Sequence, residues 1–339
     1  MKKISLLRLL GSSFLALTFF SPLAFGQVAE TDSDPQTPPD AMLFPVYSRD
    51  DVPAAAGAPA PYTPPLQLRP IMAGNVLRID SALATYNDRD GVSGGIVDAT
   101  VLTGSYRVVP DLAVLIRVGG IANHPANGDA TTFSFMNPVV GGLYSIKLPS
   151  DLRMGIFLGL SVPVGSGGGN SPDPAVQLAN NSGGLARSGM DGAMVSPNYF
   201  AVIPGIDLAY IGHGLTVQVE ATLIQLNRVR GEEVDHDQTR LNLTTGLSVG
   251  YAITPELSVV GEVRYQRWLY NPTVFAAENP AVENLSFAVG PRLNLKIGKV
   301  VVRTGISYAQ GLLGPMATGG YTSPTNTDHI LFVDTTVAF

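Results

Sequence analysis

The sequence has no cysteine among its 339 residues, and only 14% of the residues are charged. Without cysteine the chain can form no disulfide bond, no thiolate metal site and no lipid-modified lipoprotein terminus. Soluble globular proteins usually carry about 25% charged residues, whereas here 45% of the residues are hydrophobic. This balance does not favour a soluble globular protein.

Long hydrophobic runs are also absent after residue 26. A helix that spans a bilayer needs about 18 or more consecutive apolar residues. A chain this apolar, without spanning helices, can instead face lipid with alternate residues of β-strands. The formal net charge is −6, and removal of Lys2, Lys3 and Arg8 would leave −9. An acidic chain of this kind argues against a nucleic-acid partner.

The first 26 residues have the pattern of a secretory signal peptide. A basic start precedes an apolar stretch at residues 9–20, and the small-residue region 24–26 offers a cleavage site before Gln27. A retained membrane anchor is the alternative, although the apolar core is short for a span. We predict that residues 1–26 are a signal peptide.

Residues 27–73 differ from the rest of the chain because proline, alanine, aspartate and threonine dominate them. Such a composition buries too little apolar surface to fold alone. We interpret this part as a Pro-rich periplasmic extension. The alternative is a plug in the lumen of a barrel, anchored by a short apolar group. The members of that group are Met42, Leu43, Phe44, Val46 and Tyr47.

From residue 74 to residue 339 the pattern changes to strands separated by turn residues. Twelve strands are predicted, at residues 75–86, 95–108, 112–121, 131–148, 152–164, 197–210, 214–228, 239–253, 256–270, 284–297, 299–310 and 328–339. Short and long connections alternate between them throughout. This alternation is typical of periplasmic turns and extracellular loops. The predicted fold class is all-β, a transmembrane antiparallel up-and-down β-barrel.

The last predicted strand has two different faces and ends in an aromatic residue. Val333, Thr335 and Val337 share one face, and Asp334 lies on the other. A period of two indicates a strand between two different environments. The terminal Phe339 resembles the C-terminal signature of bacterial outer-membrane β-barrels. That resemblance implies a location in the cell outer membrane, contact with its lipid, and recognition of Phe339 by the barrel-assembly machinery.

Charged residues indicate which face of each strand points inward. An arginine or lysine that faces lipid at the bilayer midplane costs about 2–4 kcal/mol. The charged face is therefore predicted to line the lumen, with Arg78, Asp80, Asp98, Arg117, Arg153, Asp207, Glu220, Glu262, Arg264, Arg292, Arg303 and Asp334. Buried charges need partners, and arginine can bind a carboxylate with two hydrogen bonds. The set can be structural ion pairs that fill the barrel, or a polar lining that a solute passes.

The longest predicted connection, residues 165–196, joins the fifth and sixth predicted strands and is rich in glycine, serine and asparagine. Long loops are usually functional or disordered. A loop in this place resembles the one that folds inward and narrows the pore of general porins. A mobile external loop is the alternative. The glycine run at its start lacks the Lys-Ser/Thr of a phosphate-binding loop.

Residues suited to catalysis or metal binding are few. His124, His213, His236 and His329 fall in predicted loops, turns or strand ends, away from any predicted lumen serine and carboxylate. A hydrolytic triad therefore has little support. The acidic run at residues 232–237 could bind a divalent cation through carboxylates, and a solvated loop is the alternative. Its Asp-His pair resembles that of omptin-type proteases, which need a second acidic pair that we do not find. We predict no enzyme, no cofactor and no metal.

Residues 137–166 carry a more specific resemblance. Asn137-Pro138 leads into a glycine-containing strand that reaches Tyr144, and the next strand ends in Pro163-Val164-Gly165. This arrangement resembles the meta-pathway phenol-degradation family of outer-membrane barrels, in which Gly-Asp and Pro-Thr-Gly occupy the corresponding places. The resemblance implies transport of hydrophobic or aromatic compounds across the outer membrane.

These observations predict an outer-membrane channel for the passive passage of small solutes, hydrophobic or aromatic ones among them. The alternative is a closed structural or adhesion barrel with a plugged lumen.

Overall fold

The computed structural model describes residues 62–87, 93–187, 191–232, 238–272, 282–313 and 329–339. The strands in these residues are β1 (Val76–Asn87), β2 (Ser93–Val109), β3 (Leu112–Pro125), β4 (Thr132–Phe135), β5 (Val139–Lys147), β6 (Leu152–Ser161), β7 (Tyr199–Gly212), β8 (Leu215–Arg228), β9 (Thr239–Ala252), β10 (Leu257–Tyr270), β11 (Glu283–Ile297), β12 (Val300–Gly311) and β13 (His329–Ala338). The helix α1 (Pro174–Ala186) lies between β6 and β7. Each predicted strand is found, the fourth of them in two pieces.

Hydrogen bonding between strands closes the sheet into a barrel. Neighbouring strands pair antiparallel, and β13 also pairs with β1, where Ala338 lies opposite Val76. The Phe339 N–H continues this seam by donating to the Asn75 carbonyl at 3.1 Å. Both β4 and β5 pair with β3 and together take one position in the barrel. The structure is thus a closed antiparallel β-barrel of twelve strand positions, and the predicted fold class is confirmed.

Tight turns join the strands at one end of the barrel. Ser150 and Asp151 each have a φ of 61°, and His213 has a φ of 53°, followed by Gly214 at 76°. Two consecutive left-handed residues are typical of type I′ turns, whose twist matches that of paired antiparallel strands. These turns lie where the sequence predicts short connections. The longer connections lie at the opposite end.

The fourth predicted strand, residues 131–148, is interrupted between β4 and β5. Pro138 has no N–H to donate to a neighbouring strand. The Asn137 side chain points away from the strand ladder and donates from Nδ2 to the Ser196 carbonyl at 2.7 Å. A continuous strand was therefore the wrong prediction for these residues, because the side chain and backbone here bind the connection that follows β6.

Helix α1 lies within that connection and is not predicted from the sequence. Asp173 precedes it and accepts the Ala175 N–H at 2.8 Å, which satisfies one of the free amides of the first turn. Pro174 occupies the first turn, where no intrahelical N–H is needed. No helix in the described part of the chain is long and apolar enough to cross a membrane.

The strands have two distinct faces. On β10, Glu262 and Arg264 are 2% and 1% exposed, whereas Val259 and Val263 are 39% and 43% exposed. The same alternation of buried polar and exposed apolar residues recurs on the neighbouring strands β9 and β11. The inside of the barrel is therefore polar in this region, and the outside is apolar.

Candidate functional site inside the barrel

Two parts of the chain lie inside the barrel against the inward-facing side chains. We call residues 62–73 the inner segment and residues 162–187 and 191–198, which include α1, the inner loop. Leu66, Leu68 and Ile71 of the inner segment are at most 3% exposed. The inner segment forms the end of the Pro-rich region, and the apolar group suggested as its anchor, within residues 42–47, lies outside the described residues.

One carboxylate of the barrel wall binds the backbone of the inner segment. Glu262 accepts the N–H groups of Leu66 and Gln67 through Oε2 at 3.0 and 3.1 Å, and that of Leu68 through Oε1 at 3.2 Å. Consecutive amides that converge on one acceptor form an anion-binding concavity. The wall therefore binds this backbone in the way a protein binds an extended peptide.

Arg69 supplies the cation of the inner segment. Its guanidinium lies 3.3 Å from Asp207 and 3.5 Å from Glu220, and both carboxylates are nearly fully buried. The guanidinium also lies 4.1 Å from the centroid of the Phe157 ring, which is a cation–π distance. The Arg69 N–H donates to Glu220 at 2.9 Å, and the Arg69 carbonyl accepts from Gln218 at 2.6 Å. Two acids of the strands thus have their partner in a segment outside the strands.

Asn137 joins the two ends of the inner loop. Its Nδ2 donates to the carbonyls of Ala193 and Ser196 at 3.2 and 2.7 Å, and its Oδ1 accepts the Gly165 N–H at 2.8 Å. An amide side chain that is fully buried needs both its donors and its acceptor satisfied. The described part of the loop is accordingly folded into the barrel, in line with the resemblance to the inward loop of general porins.

Helix α1 packs against the inward faces of β1, β2 and β3. Ala179, Leu185 and Ala186 belong to the same buried apolar cluster as Ile121. At Gly183 a Cβ atom would lie 2.4 Å from Ile121 Cδ1. A larger residue at position 183 would therefore displace either the helix or Ile121.

A chain of ion pairs runs from the inner loop across the barrel interior. Its members in order are Arg117, Asp191, Arg187, Asp80, Arg78, Asp334 and Arg292. Asp191 lies 2.7 Å from both Arg117 and Arg187, and Arg187 also pairs with Asp80. Burial raises the pKa of Asp191, but the two arginines outweigh burial and keep that pKa below its ordinary value of 3.8. The inner loop thus contributes a carboxylate that stays ionised.

The second half of the chain of ion pairs reaches the inner segment. Arg78 lies 3.5 Å from Asp80 and 3.9 Å from Asp334, and Arg292 lies 2.8 Å from Asp334. Arg292 also donates through Nη2 to the Pro65 carbonyl at 2.9 Å. The inner loop and the inner segment are therefore connected to each other through charged side chains of the barrel wall.

All the charged residues predicted on the inward face, except Asp98, have that register in the structure. The ion-pair chain includes Arg78, Asp80, Arg117, Arg292 and Asp334, whereas Asp207 and Glu220 bind Arg69, and Glu262 lies beside Arg264. Arg153 and Arg303 lie on the inward register close to the tight turns. Whether these residues line a solute path stays a prediction.

The prediction for Asp98 is wrong. Asp98 lies opposite Leu83 and Ala122 on the outward register, and its carboxylate accepts a hydrogen bond from the Thr100 hydroxyl at 3.1 Å. The inward register of β2 is apolar at Val97, Ala99 and Val101, which are fully buried, and β2 packs against α1. The assignment of charges to the lumen fails here because a helix covers the inward face.

Among the charged residues of the described interior that were not predicted are Arg69, Arg187 and Asp191. Arg187 and Asp191 lie in a loop, where charge usually indicates exposure to solvent. The signal that could have identified Arg69 is the alternation of Leu66 and Leu68 immediately before it, which is typical of a strand-like segment against a partner.

The histidine and acidic side chains of the described residues do not cluster into a metal site. No group of three or more histidine, aspartate or glutamate side chains in them could bind a metal ion. His329 contacts the Tyr308 hydroxyl, and His124 Nδ1 lies 2.9 Å from the Thr131 hydroxyl. His236 and the rest of residues 233–237 lie outside the described residues.

Comparisons with known proteins give fold neighbours only. No protein-family model and no curated protein matches the chain. An outer membrane channel from Pseudomonas putida F1 is 12% identical, with a TM-score of 0.49 over 81% of this chain and 98% of that one. The NanC porin is 10% identical, with a TM-score of 0.47 over 78% of this chain and 98% of that one. The KdgM porin in complex with disordered oligogalacturonate is 11% identical, with a TM-score of 0.44 over 78% of this chain and 99% of that one. The fold is assigned from the strand pairing itself and not from these similarities.

Proposed function

We propose that the chain is an outer-membrane channel for the passive passage of small solutes. The membrane location is supported by the outward surface of the barrel. Large apolar side chains are half exposed there on several strands, among them Val140 at 49%, Ile156 at 48% and Ile206 at 51%. A closed sheet satisfies every backbone group internally and is stable in hydrocarbon when its exterior is apolar.

The observation that carries the channel proposal is the charged interior. Arg292 and Asp334 are almost completely buried, and burial of ions costs more than burial of apolar side chains of similar volume. A barrel of eight strands is filled by its own side chains, and twelve strands enclose more space. Here the inner segment and the inner loop occupy that space. When the inner segment moves, the surface that it leaves contains Asp207, Glu220 and Glu262 and is polar and wettable.

A closed structural or adhesion barrel is the second candidate. It is supported by the same filling of the interior, because both the inner segment and the inner loop are attached by buried hydrogen bonds. The two candidates differ in whether the attached parts leave a continuous aqueous route.

The identity of the solute is a separate question. The resemblance of residues 137–166 to the meta-pathway phenol-degradation family supports hydrophobic or aromatic compounds. Passage of such compounds involves no covalent step and no cofactor. Uptake of phenyl glucoside and of glucose, neither of which crosses lipid readily, by liposomes that contain the protein compares an aromatic solute with a matched non-aromatic one.

Planar-bilayer recording of the purified full-length protein tests the proposal. We expect stepwise conductance from the wild type and a larger conductance from Glu262→Gln, which weakens the binding of the inner segment. Arg267→Gln is a matched control, because Arg267 lies on the outward register of the same strand. Absence of conductance in all three proteins, together with no solute uptake by liposomes, would establish the closed barrel instead.

A further inference from the structure

Arg264 is a cation without hydrogen bonds in the middle of β10. It is 1% exposed, and none of its three guanidinium nitrogens has a hydrogen-bond partner among the residues that the structure describes. The nearest acid is Glu262, with 3.7 Å between Arg264 Nε and Glu262 Oε1. The two oxygens of Glu262 already accept three amides of the inner segment. A buried guanidinium without hydrogen bonds destabilises the fold. Its retention in the barrel interior therefore suggests a function.

Small residues flank Arg264 on both neighbouring strands. The strand register places Gly246 of β9 and Ser286 of β11 directly beside it. Leu68 of the inner segment fills the space above the glycine, because a Cβ atom on Gly246 would lie 2.4 Å from Leu68 Cδ2. We call the space bounded by Gly246, Arg264 and Ser286 the niche. In this structure the Leu68 side chain occupies it.

Charged groups of the barrel wall and of the inner loop act on Arg264. Arg264 interacts electrostatically with Glu262 and Glu220, next to the inner segment, and with Arg187 and Asp191 of the inner loop. The acids in this set already have partners. Glu220 binds Arg69, and Asp191 binds two arginines of the ion-pair chain. Among the described residues, the charge of Arg264 is therefore compensated only by Glu262 at 3.7 Å, and its N–H groups stay available to a ligand.

We propose that Arg264 binds a small carboxylate solute in the niche and that Leu68 covers this site. A guanidinium donates two parallel hydrogen bonds to a carboxylate, and the Ser286 hydroxyl lies beside it as a further donor. This inference adds a carboxylate group to the solutes of the proposed channel, aromatic ones among them, and rests on that function only for the route of entry. The inner segment then acts as a cover over an anion site, since its backbone engages Glu262 while its leucine excludes the solute.

An introduced thiol tests the chemistry of the niche without any need for transport. The chain has no cysteine, so Ser286→Cys supplies a single thiol next to Arg264. In the full chain with Leu68→Ala, the anionic methanethiosulfonate reagent should modify this thiol about tenfold faster than the cationic one, as expected for charge steering in a confined cleft. Added acetate should slow the anionic reagent, whereas chloride at the same concentration should not.

Matched variants show whether the preference for the anionic reagent depends on Arg264. Addition of Arg264→Gln should remove the preference for the anionic reagent, whereas Arg267→Gln on the outward register should preserve it. Arg264→Lys preserves the charge and should keep the preference, so it serves if the glutamine variant does not show the heat-modifiable gel mobility of a folded barrel. Equal rates for the two reagents, or a preference that survives Arg264→Gln, would overturn the anion site. No modification of the thiol at position 286 in any variant would overturn it as well.

Reversal potentials in a KCl gradient separate the site from the channel. Leu68→Ala should shift the selectivity towards anions, and Arg264→Gln in the same chain should reverse that shift. A charge preference of the thiol at position 286 without any conductance would support the site and contradict the proposed channel. Conductance without dependence on Arg264, combined with equal labelling rates, would support the channel and contradict the site.

Discussion

The inner segment and the inner loop both fill the barrel, but they are attached in different ways. The inner segment has no regular secondary structure, and its backbone amides bind side chains of the wall, three of them on Glu262 alone. The inner loop contains a helix whose apolar face joins the main buried cluster, and Asn137 joins its two ends. The segment is bound mainly through its backbone and charged side chains, with Leu66 in the main cluster, whereas the loop places several residues of and after its helix in that cluster.

This difference predicts which part moves. The segment depends on a few charged contacts and on the apolar anchors Leu66 and Ile71. The loss of one charged contact should therefore favour its release. The loop combines apolar packing, a buried amide and paired ions, so a single change weakens only part of its attachment. We therefore expect the inner segment to have the lower opening free energy, because local stability follows the density of buried contacts.

Arg69→Ala should have the largest effect, and it should act on the attachment of the inner segment. The substitution leaves Asp207 and Glu220 buried without their cation, and breaking a buried ion pair costs about 3–5 kcal/mol. The inner segment should then leave the barrel interior. A reporter thiol introduced by Gln67→Cys should react with maleimide much faster in Arg69→Ala than in the parent, and channel conductance should rise.

Arg267→Ala is the control for loss of an arginine from the outward face of β10, and it should leave the labelling of the reporter thiol unchanged. Equal protection of that thiol in Arg69→Ala and in the parent would contradict the view that charged contacts dominate the attachment of the segment. The apolar anchors Leu66 and Ile71 would then carry that attachment.

Gly183→Val should have an intermediate effect, confined to the inner loop. Its added side chain meets Ile121, and overpacking of a core typically costs about 1–3 kcal/mol. Ile121→Ala should restore part of this loss, so the double variant should be more stable than the sum of the single changes predicts. Urea unfolding followed by the fluorescence of Trp268, the single tryptophan, measures the free energies.

If the inner loop and the inner segment are attached independently, Gly183→Val should leave the labelling of the reporter thiol at position 67 unchanged. Additive free energies for positions 121 and 183 would show that α1 does not press on Ile121. Increased labelling of the reporter thiol would show that the loop and the segment move together.

Sequence reasoning identified the barrel because its signals are local and repeated. Residues alternate along β10 and β11, and turn residues occur around positions 150 and 298. Both signals depend only on residues that are close in the sequence. The inward charged face followed from the cost of charge in lipid. Asp98 lies on the outward face instead, because the inward face of β2 contacts a helix and not water.

The contents of the barrel could not be predicted in the same way. Arg69, Arg187 and Asp191 lie in a Pro-rich segment and in a glycine-rich loop, whose compositions resemble exposed connections. Their partners are far away in sequence, as with Arg187 and Asp80, which are 107 positions apart. Such contacts depend on the closed sheet, which brings the wall around both parts at once, and no local pattern encodes them.

The smallest effect is expected from mild acid, and it tests the attachment of the loop. A carboxylate with a lowered pKa in the folded state stabilises the fold above its unfolded pKa and loses that contribution as the pH falls towards the folded value. For Asp191 the ordinary value is 3.8 and the folded pKa lies below it. The difference in unfolding free energy between the wild type and Asp191→Asn should therefore be constant from about pH 8 to pH 5 and should decrease only in stronger acid. Urea unfolding at each pH measures it. A decrease already between pH 7 and pH 5 would mean that Arg117 and Arg187 do not keep Asp191 ionised, and the loop would then depend on its apolar helix face and on Asn137.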